Sequence, residues 1–170
     1  MPRSRQLARS ALITTCLVAT ALVPAAAQVG ASIGAGIGVA GSTDESLSNG
    51  QTGLILSGQV TTSPVPVIKL GAEVDHLQHT GASATFGTAI VELHAPVLPF
   101  FVKAGVGYGH ADVNDSRGAA SGVAFQIGVG YDLGIPAIPV GFALFGNAYF
   151  AHGSSRNAQM VDGGLSIRFP

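Results

Sequence analysis

The sequence holds no tryptophan, one cysteine, two methionines and few charges. Charged residues make up 10% of its 170 positions, where a soluble domain carries about 25%, so something other than water must cover part of the surface. The one cysteine, Cys16, lies in the leader described below, which leaves residues 28–170 without a thiol. That excludes a disulfide framework and any cysteine metal site. After Ala27 no stretch reaches the roughly 20 consecutive apolar residues that a membrane-spanning helix needs. Past the leader, five basic residues (Lys69, Lys103, Arg117, Arg156, Arg168) stand against nine acidic ones, with no basic patch for nucleic acid.

What the chain does have is apolar character, 47% hydrophobic residues with a mean hydropathy of +0.45, and 24 glycines. Its first segment reads as an address. Arg3, Arg5 and Arg9 form a basic region, "ALITTCLVATALV" an apolar core too short to span a bilayer, and Ala25 and Ala27 supply the small residues required before cleavage at Gln28. The expected division is a cleaved signal peptide over 1–27 and a single domain over 28–170.

Within 28–170 the pattern has period two. Val29, Ala31, Ile33, Ala35, Ile37 and Val39 share one face, while Gly30, Ser32, Gly34, Gly36 and Gly38 share the other. Each glycine costs a helix near 1 kcal/mol against alanine, so a strand is favoured. The alternation recurs around Leu54–Val60, Ile68–Asp75, Thr88–Leu93, Phe100–Gly109, Val123–Leu133, Val140–Phe150 and Asp162–Phe169, which makes eight strands. Three connections are proline-rich (62–66, 95–99, 134–139), and the four between them are polar (41–51, 79–82, 112–121, 152–159). Such a sheet can close with its apolar side chains inward or outward. The outward arrangement is favoured, because the inward one would strand Lys69, Glu73, Asp75, Glu92, Lys103, Asp132, Asp162 and Arg168 on an exterior made mostly of Gly, Ala and Ser. A soluble barrel carries a denser charged exterior.

The closing stretch "DGGLSIRFP" carries a family likeness. Asp162, Gly164, Ile167 and Phe169 resemble the C-terminal sorting signal of bacterial outer-membrane proteins, with Pro170 as one additional residue. Together with the leader and the eight strands, the chain resembles the small OmpA/OmpX-type barrel family. That resemblance implies an all-β, eight-stranded antiparallel up-and-down transmembrane β-barrel in the bacterial outer membrane, with proline turns in the periplasm and polar loops outside. It also implies contact with outer-membrane lipids and lipopolysaccharide, insertion by the barrel assembly machinery through the C-terminal strand, and belts of aromatics. Phe100, Tyr131, Phe142 and Phe169 fall near one interface, Tyr108 and Phe150 near the other.

Four groups of residues invite a functional reading. First, if 79–82 and 95–99 close tight turns, Lys69 and Lys103 both flank Glu92, with Asp132 and Arg168 at similar depth. Glu73 and Asp162 complete the expected lumen charge network, and Phe86, Phe101, Phe145, Tyr149 and Met160 fill the remaining space. Eight strands leave little more than side-chain room, so this network reads as a structural plug before it reads as an ion path. Second, His76, His110 and His152 end strands on the outward parity and read as interfacial residues rather than zinc ligands, while His79 and His94 have inward parity at opposite ends. Third, His152 and Ser154 resemble the His-x-Ser pair of lipid A deacylase barrels, but Gln159 and Val161 opposite them supply no orienting carboxylate. Fourth, "DVNDSRG" (112–118) begins with calcium-like spacing and then lacks the closing glutamate. The expectation is a non-enzymatic monomeric barrel with a structural or surface-interaction role and no cofactor. A narrow pore is the second reading and a lipid A hydrolase the third.

Overall fold

The computed structural model describes residues 28–42, 50–80, 82–113, 119–134, 140–153 and 157–170. The leader with Ala25 and Ala27, Ser154, and residues 114–118 of "DVNDSRG" lie outside the described residues. Eight strands follow one another: β1 (Gln28–Ser42), β2 (Gln51–Val65), β3 (Ile68–His79), β4 (Ala82–His94), β5 (Phe100–Val113), β6 (Ala120–Leu133), β7 (Gly141–Gly153) and β8 (Asn157–Phe169). Each pairs antiparallel with its sequence neighbour, and β8 pairs with β1 to close the barrel. No helix among the described residues is long and apolar enough to cross a membrane. At 12 to 15 residues the strands exceed the roughly 9–11 that span a bilayer when tilted.

The apolar parity faces outward on every strand. Ile37 is 67% exposed, Leu54 68%, Ile127 60% and Tyr108 59%, whereas Phe86, Tyr149 and Met160 on the opposite parity have no exposure. A soluble monomer rarely exposes contiguous apolar patches beyond a few hundred Å², so a face apolar on all eight strands has an apolar solvent. Closure satisfies every strand edge, which hydrocarbon requires.

Two turns set the register that matters later. His79 pairs with Ala82 across a two-residue turn, which places Lys69 opposite Glu92. At the other end His94 pairs with Phe101, which places Glu92 opposite Lys103. The first proline-rich segment departs from expectation, because β2 runs through Pro64 to Val65 and the turn is confined to Pro66 and Val67. The register shifts between Thr62 and Val65, and an irregularity of that kind is where a residue without an N–H can sit in a strand.

Candidate functional site

The lumen divides along its axis. Toward the polar-loop end it is apolar, built from Ile55, Leu77, Phe86, Tyr149 and Met160 with a collar of small residues that includes Ala84 and Ala151. Phe86 and Tyr149 pack ring to ring at 4.9 Å between centroids. Phe86 has this space because Gly109 faces it; a Cβ there would come within 2.6 Å of the ring. Toward the proline-turn end the lumen is polar, and its charged groups form two layers.

The inner layer is centred on Glu73. Lys103 Nζ donates to both carboxylate oxygens, at 2.5 and 2.7 Å, and the two side chains are each 3% exposed. Gln126 Nε2 donates to Glu73 at 2.9 Å and to the Tyr149 hydroxyl at 2.9 Å, while its carbonyl accepts from Thr88. Tyr149 in turn donates to Asp75, so one network of hydrogen bonds joins five strands, β3 to β7. Asp162 accepts from Asn147 Nδ2 at 3.0 Å. A buried ion pair is held only when its remaining valences are satisfied, and Gln126 supplies that bond for Glu73.

The outer layer is centred on Glu92, which is fully buried. Gln59 Nε2 lies 2.6 Å from one of its oxygens, His94 Nε2 3.0 Å from the other, and the Arg168 guanidinium 3.5 Å away. Asp132 links the same two side chains, 3.2 Å from Arg168 and 3.3 Å from His94 Nδ1. Phe101 lies against both, stacked on His94 at 5.1 Å and with the Arg168 guanidinium carbon 4.2 Å from its centroid. Gly130 makes room for that ring, since a Cβ there would overlap it.

The structure therefore brings the seven expected network residues into one end of the lumen but sorts them differently. Lys69, Glu92, Lys103, Gly128, Asn147 and Asp162 are successive partners across β3 to β8, so the expected backbone neighbours are neighbours. Their side chains do not pair in that order, and the expectation that Lys69 and Lys103 both flank Glu92 is corrected. The Lys103 stem lies over Gly128, where a Cβ would meet its Cε at 2.8 Å, and its ammonium continues to Glu73. Glu92 is already held by Arg168, His94 and Gln59. Lys69 forms no ion pair or hydrogen bond with any described residue and instead lines a small cavity beside Glu92 and Arg168. Sequence reasoning passed over Gln59, Thr88, His94, Gln126, Asn147 and Tyr149 as network members; their signal was inward parity, which charge alone does not register.

The remaining expectations concern the outward face. His76 on β3 bonds Thr85 at 2.8 Å and Gln78 at 3.1 Å, and His110 on β5 and His152 on β7 are exposed. Among the described residues no three His, Cys, Asp or Glu side chains are grouped as a metal site. His152 is flanked across the sheet by Val123 and Asn157, neither of them a carboxylate. Asp162, Gly164, Ile167 and Phe169 all lie in β8, which is paired on both sides.

No protein-family model matches the chain, and no curated protein matches it. Solved structures do. Neisserial surface protein A superposes with a TM-score of 0.59 at 9% identity, over 84% of this chain and 97% of that one. The N-terminal barrel domain of Pseudomonas aeruginosa OprF gives 0.50 at 15% identity, over 84% and 99%. Ail, the attachment invasion locus protein of Yersinia pestis, in complex with the heparin analogue sucrose octasulfate, gives 0.53 at 13% identity, over 83% and 97%. At these identities the likeness is one of fold: the chain has the fold of the small eight-stranded outer-membrane barrels.

Proposed function

We propose that this chain is a structural or surface-interaction barrel of the bacterial outer membrane, closed to solutes, that presents its polar loops to the exterior. The observation that carries this reading is the coexistence of an outward apolar face with a lumen filled largely by side chains. Tyr149, Phe86, Phe101, Ile55, Leu77 and Met160 are all buried to within 2%, and the two charged layers take up much of the polar half. An eight-stranded barrel offers little space beyond its own side chains, and a path for ions would have to cross the apolar plug. In this reading the proline turns face the periplasm, outer-membrane lipids including lipopolysaccharide cover the apolar face, and the barrel assembly machinery engages β8. The barrel is a monomer and has no catalytic role.

The test is conductance. The folded protein, reconstituted into planar bilayers, is expected to leave the membrane as tight as a protein-free one. Phe86→Ala combined with Met160→Ala, which opens the plug, is expected to introduce brief current steps. Steady conductance by the unaltered protein would replace this reading with a narrow pore.

A further inference from the structure

At the proline-turn end, where β1 meets β8 to close the barrel, lies a cavity of about 40 Å³. One water needs roughly 10–15 Å³ on such a measure, so this space suits a single monatomic ion or about three waters. Its polar lining is lopsided. The acceptors there are already committed: Gln59 accepts from Ser32 and donates to Glu92, and both Glu92 oxygens are engaged. The uncommitted groups are donors. Lys69 forms no ion pair or hydrogen bond with any described residue, and the Arg168 Nε is buried without a partner while its terminal nitrogens face Glu92 and Asp132. Thr61 lines the same cavity, its hydroxyl 3.6 Å from where a Cβ on Gly30 would sit.

We propose that this cavity is a binding site for a halide-sized anion, with chloride as its natural occupant. Lys69, Arg168 and Thr61 are the residues placed to hold it, and it would lie at the seam where the first and last strands join. The buried Arg168 N–H without a partner carries the penalty of an unmade bond, and the half-buried Lys69 ammonium lines the same small, partly open cavity. One anion would satisfy both. The charged neighbours are few: Glu92 and Asp132 as anions, with His94 beyond them. Glu92 remains in place because its own donors hold it.

The test uses the full-length folded barrel in nonionic detergent. Thermal unfolding is followed in sodium chloride and in sodium gluconate at matched ionic strength, so that screening is common to both. The midpoint is expected to be higher in chloride and to rise with the logarithm of its concentration, as for a ligand of the folded state. Lys69→Gln and Thr61→Val are each expected to reduce or abolish that difference; Thr61→Val serves alone if Lys69→Gln does not fold. Crystals soaked in bromide are expected to show an anomalous peak in the cavity. Equal midpoints in the two salts, an unchanged chloride effect in the foldable variants, or density without anomalous signal, meaning water only, would each overturn the proposal.

Discussion

Lys103 and Glu73 show how a single pair governs the inner lumen. Both are buried, and removing one partner leaves the other charged in a low-dielectric space, which typically costs about 3–5 kcal/mol. Lys103→Met should therefore lower stability by about that amount, measured as the loss of folded band in urea on an unheated gel. Glu92→Gln is expected to lower the unfolding midpoint clearly, whereas Asp115→Asn, in a loop segment outside the described residues, should stay within about 0.5 kcal/mol; equal midpoints would contradict the network. The glycines divide in the same way. Gly109→Ala drives a methyl against Phe86 and should cost about 1–3 kcal/mol, while Gly58→Ala on the lipid face, where a Cβ meets nothing within 4 Å, should be tolerated. At this scale the sequence yields backbone neighbours but not side-chain partners. Two short turns determine that Lys69, Glu92 and Lys103 are adjacent, and counting residues recovers it. Which carboxylate a lysine with a flexible four-carbon stem reaches depends on Gly128, on the rival donors of Glu92 and on distances across the lumen, and a one-dimensional pattern contains none of these.

The strand is the element that meets lipid, and its two faces make opposite demands. Phe125, Ile127 and Val129 on β6 are 56%, 60% and 59% exposed. Ile127→Arg, near the middle of that face, is expected to cost about 2–4 kcal/mol in a bilayer, and His152→Arg at the rim about 0–1 kcal/mol. Refolding yield into lipid vesicles against urea measures both; equal costs would mean that the face does not cross the membrane. The parity of each strand is legible because hydrophobic contrast between alternate residues is large at mid-membrane. The ends are less so. β8 starts at Asn157 rather than Asp162, and β4 at Ala82 rather than Thr88. Near the polar loops the outward residues become Ser83, Thr85, His152 and Gln159, so the contrast fades while the partner strand still supplies hydrogen bonds.

As a whole molecule, the barrel reverses the arrangement of a soluble domain: apolar outside, partly charged inside, with no free edge. Closure was readable from the count of eight strands and from the improbability of so few charges on a water-facing exterior. The axial division of the lumen was not, because it depends on how Ala84 and Ala151 collect at one end while Glu73, Glu92, Lys103 and Arg168 collect at the other. The most direct test of the apolar-outward barrel is membrane fractionation of cells making the full-length chain, followed by a gel on heated and unheated outer-membrane material. The account predicts that the chain is in that fraction and migrates differently before and after boiling. Recovery in the soluble periplasm, or identical migration in both lanes, would contradict it.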